Sequence, residues 1–193
     1  KGNVDYLVGD YLAEVTMALL ARAKAKAPDG GYIPDWLASV KPLLPEIKRQ
    51  GIKLITNSGG MNPLACREAF LAAAAEAGLE FDVAVVTGDD LTPFAQDIQD
   101  AQPTEMFSGA PLPKAFASMN AYLGAGAIAE ALGQGADVVI TGRVVDSAMV
   151  LGPLMHEFGW KADDYDRLSA GSLAGHVIEC GAQATGGLFT DWQ

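Results

Sequence analysis

Ala136-Asp137-Val138-Val139-Ile140-Thr141-Gly142-Arg143-Val144-Val145-Asp146-Ser147 decides the fold. Its first half is a short β-branched run, the pattern of a strand buried on both faces. The run breaks at Thr141-Gly142-Arg143 and resumes as an apolar-periodic segment that reads as a helix to Phe158, with Gly159 as its stop. In a parallel α/β sheet the turn after such a strand lies at the carboxyl edge, where ligands bind. Arg143, Asp146 and Ser147 therefore stand where chemistry usually sits.

Upstream, the same alternation recurs. Strands are expected at 4–8, 52–56 and 83–86. Helices are expected at 11–26, with Leu12, Val15, Leu19 and Ala23 on its apolar stripe, at 64–77, and at 120–133. The stretch 36–50 reads as one or two short helices interrupted by Pro42 and Pro45. Asn62 suits the N-cap of the helix that opens at Pro63, and Thr92 suits a short helix starting at Pro93. The stretch 102–113 reads as irregular. Downstream, 163–167 reads as a charged connection, 169–184 as a glycine-weakened helix, and Leu188-Phe189-Thr190 as a final extended piece. Alternating strands and helices with short turns predict an α/β fold: an open, mostly parallel sheet with helices on both faces, Rossmann-like and doubly wound. Four strands are too few for a closed barrel. One domain over residues 1–193 is expected.

Composition narrows the function. The 193 residues carry 24 acidic against 13 basic side chains, a net charge of -11. Such an acidic chain lacks the clustered positive charge that nucleic acid or an anionic membrane requires, so neither is expected as a partner. One or two local cations suffice for a small anion. No stretch is long and apolar enough to span a bilayer. The two cysteines, Cys66 and Cys180, lack metal-ligand spacing and fit a reducing cytosol. Cys66 reads as a small buried residue, and Met17, Met149 and Met155 read as core. No metal is assigned and no cofactor is identified.

The strands end in polar turns containing glycine, and these turns line one edge in a doubly wound sheet. Asp10 follows the first strand. Asn57-Ser58-Gly59-Gly60 follows the second, just ahead of Asn62, and can offer backbone N–H groups to an anion. It is neither a Walker loop nor a dinucleotide fingerprint. Gly124-Ala125-Gly126 reads as a site of close helix packing. Thr87-Gly88-Asp89-Asp90 follows the third strand. Its paired carboxylates fit three roles: a metal site, a shared proton, or a cap in which Asp90 or Thr92 begins the next helix. Gly142-Arg143 and Asp146 follow the last strand, where Arg143 fits either a bidentate anion clamp or an ion pair with Asp146. His176, Glu179 and Cys180 fall at i, i+3 and i+4, a spacing that suits an acid/base pair, part of a metal site or a structural contact. The candidate catalytic residues are Asp89, Asp90, His176 and Glu179. The candidate ligand-binding residues are Asp10, Asn57, Ser58, Gly59, Gly60, Asn62, Thr87, Gly88, Gly142, Arg143 and Asp146.

Several stretches taken together resemble the acyclic terpene utilisation (AtuA) family. They are Asp5-Tyr6-Leu7-Val8-Gly9-Asp10-Tyr11-Leu12-Ala13-Glu14, Asn57-Ser58-Gly59-Gly60-Met61-Asn62-Pro63, Thr87-Gly88-Asp89-Asp90-Leu91, Gly142-Arg143-Val144-Val145-Asp146, His156-Glu157-Phe158-Gly159-Trp160 and Gly175-His176-Val177-Ile178-Glu179-Cys180-Gly181 with Thr185-Gly186-Gly187. The resemblance runs in order over essentially the whole chain. Family members are longer at both ends, so the chain resembles an internal fragment. The resemblance implies a cytoplasmic bacterial protein in the degradation of acyclic terpenes by way of branched acyl-CoA thioesters. On this basis the expected ligand is a small acidic molecule or a CoA thioester. The expected chemistry is acid/base work of the hydration, isomerisation or lyase type. The alternative is a non-catalytic ligand-binding or subunit-assembly module. A homo-oligomer or larger assembly is expected.

Overall fold

Four short strands run parallel in the order β1-β2-β4-β3: β1 Tyr6–Gly9, β2 Lys53–Thr56, β3 Val83–Val86 and β4 Val138–Thr141. They belong to a computed structural model that describes residues 4–186. Register pairs Val8 with Ile55, Ile55 with Val139, and Val139 with Ala84. β4 lies between β2 and β3, and all four of its residues are buried. That burial is what its unbroken β-branched run requires.

Side chains alternate across the sheet, so each strand feeds two cores. Leu54, Val138 and Ile140 point to one side, into a core with Trp36, Leu44, Ile47, Cys66 and Phe70. This face is covered by α2 (Pro34–Val40), α3 (Leu44–Gln50) and α4 (Pro63–Glu76). Ile55 and Val139 point to the other side, into a core with Ile128, Leu132, Val144 and Met149. That face is covered by α6 (Gly126–Gly133) and α7 (Ala148–Phe158), with α8 (Tyr165–Ile178) packed on α7. The remaining helices are α1 (Glu14–Lys26) and the short α5 (Ala95–Asp100). No helix among the described residues is long and apolar enough to cross a membrane. The arrangement is an open, all-parallel, doubly wound α/β sheet.

Local signals act as their chemistry directs at several ends. Asn62 caps α4 by accepting a hydrogen bond from the Ala65 N–H at 3.3 Å, with Pro63 in the first turn. Gly51 and Gly159 end α3 and α7 in the left-handed conformation. Thr92-Pro93-Phe94 forms a 3₁₀ turn that leads into α5.

Other boundaries differ from the sequence reading. The stretch 120–125 is not helical. Asn120 forms an isolated bridge with Asp90, and Leu123 forms one with Val144, so tertiary pairing overrides helix propensity until Gly126. A Cβ built on Gly124 or Gly126 would meet nothing within 4 Å, so these glycines do not mediate close packing. α1 starts at Glu14 and buries Met17, Leu20 and Ala21, whereas Val15 and Leu19 are exposed. Of the stripe proposed from periodicity, Leu12 is buried just ahead of the helix, whereas Val15, Leu19 and Ala23 lie on the solvent side. The charged connection at 163–167 already enters α8 at Tyr165. That helix stops at Ile178 and is followed by a 3₁₀ turn over Gly181–Thr185. The stretch 102–113 carries an isolated bridge between Thr104 and Pro111. The extended piece expected at Leu188-Phe189-Thr190 lies outside the described residues.

Candidate functional site

Because all four strands are parallel, their exit loops meet at one edge, and the candidate residues sort there into two groups. The first gathers Asp10 from the β1 exit, Asn57 from the β2 exit, Arg143 and Asp146 from the β4 exit, and Glu179 just past α8. One carboxylate oxygen each from Asp10, Asp146 and Glu179 lies within 4.8 Å of the others.

Asn57 builds the floor of this group. It is fully buried. Its Oδ1 accepts from the Tyr11 N–H at 2.8 Å, and its Nδ2 donates to Asp10 Oδ1 at 2.6 Å. The Leu12 N–H donates to the same Asp10 oxygen at 3.2 Å. Thr56 Oγ1 donates to the Gly9 carbonyl at 2.9 Å, which stitches the β1 and β2 exits together. Asp10 is thus held from below while its carboxyl group faces Glu179. Burial pushes its pKa above the usual aspartate value, and the hydrogen bond with Glu179 pushes the same way. The bonds from Asn57 and Leu12 oppose this and do not reverse it. A hydrogen bond between two carboxyl groups requires one proton between them.

Arg143 is the buried hub beside this pair, 3% exposed. Its Nη1 donates to Asp146 Oδ1 at 2.6 Å and to the Val144 carbonyl at 3.0 Å. Its guanidinium carbon lies 4.0 Å from the centre of the Tyr122 ring, and the Tyr122 hydroxyl donates to Glu14 at 2.6 Å. Burial pulls the guanidinium pKa down, but the contacts with Asp146 and Tyr122 outweigh it and leave it above the ordinary arginine value. The ion pair with Asp146 is present. The opposite fork is less engaged: Nη2 stands 3.8 Å from Glu14, and the buried Nε has no partner among the described residues.

The second group surrounds a small hollow of about 150 Å³ lined by Gly60, Asn62, Thr87, Gly88, Asp89 and Asp90, with Lys24 and Asn120. Asp89 is buried and faces inward: its Oδ2 accepts from the Arg143 N–H at 2.8 Å and from Asn120 Nδ2 at 3.0 Å. It therefore anchors the β4 exit turn. Gly142 is what permits this approach, because a Cβ there would sit 2.4 Å from Asp89 Oδ1. Asp90 Oδ1 accepts from the Thr92 N–H at 2.9 Å, an Asx turn that leads into the 3₁₀ turn, whose N-cap is Leu91 and not Asp90 or Thr92. Lys24 Nζ donates to the Met61 carbonyl at 2.7 Å.

The Asn57–Gly60 loop is wholly buried and folded on itself. The Ser58 N–H donates to Thr56 Oγ1, Gly60 N–H to the Asn57 carbonyl, Met61 N–H to Gly31 and Asn62 N–H to Gly59. A Cβ on Gly59 would lie 2.5 Å from the Thr141 carbonyl, so the loop is pressed against the end of β4. Asn62 Nδ2 donates to Pro28 and Gly30 carbonyls. These groups hold the edge together and leave little backbone free to cradle an anion.

His176 stands apart: it is exposed, on α8, and no hydrogen bond or ion pair joins it to Glu179 among the described residues. Helical spacing holds through Glu179, whose backbone is still helical and whose N–H donates to the Gly175 carbonyl at 2.9 Å, but its carboxyl group meets Asp10. Cys180 is exposed, and its thiol donates to Glu179 Oε1 at 3.1 Å. That bond, and the nearby Glu179 charge, raise its pKa, the opposite of what a nucleophilic thiol requires. Cys66 is buried as expected, and burial pushes its thiol up to about 11.

Sequence reasoning passed over Glu14, Tyr122 and Asn120, the residues that fix Arg143 and Asp89. It also passed over an apolar hollow of about 350 Å³ beside the first group. Tyr6, Val8, Val150, Pro153, Leu154 and Ile178 line it, and Glu179 closes one end. Tyr6 is exposed to the hollow through its ring, and its hydroxyl donates to Glu157; burial and that bond raise its pKa. The alternating apolar positions of β1 and the i, i+3, i+4 spacing of Val150, Pro153 and Leu154 were the available signals.

Comparison with curated proteins and with solved structures gives no match. The model of the "Acyclic terpene utilisation family protein AtuA" matches residues 1–193. The chain therefore belongs to the acyclic terpene utilisation (AtuA) family.

Proposed function

We propose that this chain serves acyclic terpene utilisation by acid/base chemistry on branched acyl-CoA or carboxylate intermediates, with Asp10 and Glu179 as the proton-transfer pair. The observation that carries the reading is the carboxyl–carboxyl contact, in which burial and the hydrogen bond with Glu179 raise the Asp10 pKa above the ordinary aspartate value. Two carboxyl groups sharing one proton can donate it to a developing oxyanion or remove one beside a thioester carbonyl. That capacity suits hydration, isomerisation or C–C cleavage next to a thioester. Asp146 and Arg143 set the local field, while Asp89 and Asp90 support the turns.

Family membership supports the pathway, and the geometry supports the proton chemistry. The test is turnover of a panel of branched enoyl- and hydroxyacyl-CoA thioesters by the full-length protein, followed by mass spectrometry. Asp10→Asn and Glu179→Gln are each expected to lower the rate by about 10²–10⁴-fold, the usual worth of positioned proton transfer. Turnover unchanged in both variants refutes the assignment.

A second reading, a ligand-binding or assembly module, draws on one observation. Arg143, Asp89 and Asn57 are engaged within the fold, and no hydrogen bond or ion pair joins His176 to them among the described residues. Binding of a thioester without any turnover across the panel would favour it.

A further inference from the structure

We infer that the hollow between β1, α7 and the end of α8 is a binding site for an aliphatic chain whose head is an uncharged oxygen-bearing group, a thioester carbonyl or a hydroxyl, and not a free carboxylate. The inference deepens the acid–base reading, and only its head-group part rests on that reading.

The volume, about 350 Å³, falls in the range of small-molecule cavities, about 300–1,000 Å³. Val8, Val150, Pro153, Leu154 and Ile178 supply an apolar wall. The one polar side of Tyr6 is turned away, because its hydroxyl is bonded to Glu157. Water gains little from such walls, whereas methylene groups gain from leaving water. Ile178 is 56% exposed, so the hollow has an open side through which a chain can enter.

The head-group assignment follows from charge. At the inner end the chain reaches Glu179, and beyond it Asp10 and Asp146. A free carboxylate there would face three carboxyl groups. The nearby cation, Arg143, already bonds Asp146 and the Val144 carbonyl through its Nη1. An ammonium head would need the place that the shared proton of Asp10 and Glu179 occupies. A carbonyl or hydroxyl oxygen instead accepts a hydrogen bond from the pair in exchange for the Asp10–Glu179 bond, with no charge added.

The experiment measures binding to the full-length protein by isothermal titration. The probes are S-butanoyl-, S-hexanoyl- and S-octanoyl-N-acetylcysteamine, together with octanoate and octylamine. The expected result is affinity that rises about fourfold per methylene, which is the fully buried value of about 0.8 kcal/mol converted at room temperature. Octanoate is expected to bind at least tenfold more weakly than the octanoyl thioester. Ile178→Asp, at an exposed position, and Val150→Phe, which fills the hollow, are each expected to weaken the octanoyl thioester at least tenfold while circular dichroism shows an unchanged fold.

Affinity independent of chain length, or unaltered in both variants, overturns the site. Octanoate or octylamine binding as tightly as the thioester overturns the head-group assignment. Failure of the acid–base reading looks different: chain-length dependence persists, but Asp10→Asn and Glu179→Gln turn over substrate like the wild type.

Discussion

Gly142→Ala tests the least forgiving contact of the site. The added Cβ would lie 2.4 and 2.6 Å from the two Asp89 carboxylate oxygens and 2.7 Å from its Cγ, so the carboxylate must move. Asp89 is 5% exposed, and any shift away from the new Cβ takes its carboxylate off its two donors. Moving it strains or breaks its bonds from the Arg143 N–H (2.8 Å) and Asn120 Nδ2 (3.0 Å). A hydrogen bond to a charged group is worth about 1.5–3 kcal/mol, so losing most of both costs about 3 kcal/mol. That is a large share of the roughly 5–15 kcal/mol of a typical domain. For a chain of this size it lowers the melting temperature by about 6–12 °C. Urea and thermal denaturation of Gly142→Ala, Asp89→Ala and the double variant measure it. Asp89→Ala removes the obstacle, so the double variant is expected to be about as stable as the less stable single one, with a coupling of about 2–3 kcal/mol. A loss below about 1 kcal/mol in Gly142→Ala, or strict additivity in the double variant, refutes the reasoning.

Asp10 has a pKa raised by burial and by Glu179, so it holds its proton more tightly in the fold than in the unfolded chain. The stability it contributes is complete below the unfolded aspartate pKa and is lost as pH rises through the folded value. Urea melts from pH 4 to 8 are expected to show Asp10→Asn gaining on the wild type across that window, because its amide keeps the same bonds without the charge; parallel curves would contradict this. Phe70 is fully buried, its ring centroid 5.6 Å from Trp36 and 5.4 Å from Phe81. Phe70→Ala is expected to cost about 3–5 kcal/mol in chemical denaturation. With the Cys66 thiol pushed up to about 11, only about one molecule in a thousand carries its thiolate at pH 8. A disulfide reagent should therefore label Cys180 alone in the native protein and both cysteines in urea.

Much of the sheet was legible because its signals are local. The β-branched run at Val138–Thr141 reads as doubly buried, and a cap such as Asn62 before Pro63 is decided by neighbours a few residues away. The first group at the site was only half legible. Asp10, Asn57, Arg143 and Asp146 stand at strand exits, which topology alone makes candidates. Which of them meet is set by strand order, and β4 inserting between β2 and β3 has no local signature. The pairing of Asp10 with Glu179 joins residues 10 and 179 across most of the chain, so no spacing rule could reveal it. Periodicity misled where tertiary contacts dominate. Val15 and Leu19 share the predicted stripe with Leu12, but α1 packs through Met17 and Leu20, which join Leu12, Ile33 and Met61 in a separate small core. His176 and Glu179 keep their helical spacing, but the Glu179 carboxyl group meets Asp10, a partner that no helical spacing reveals.

The position of β1 has a temporal consequence. It is four residues long and, among the described residues, pairs only with β2, whereas β2 and β4 are each flanked on both sides. Amide protection in such a strand is set by local opening, at a free energy well below that of the whole fold. Asp10 follows this strand directly, so a local opening of β1 is expected to carry Asp10 away from Glu179 while β2 and β4 stay paired, which would tie the carboxyl contact to the breathing of one short strand.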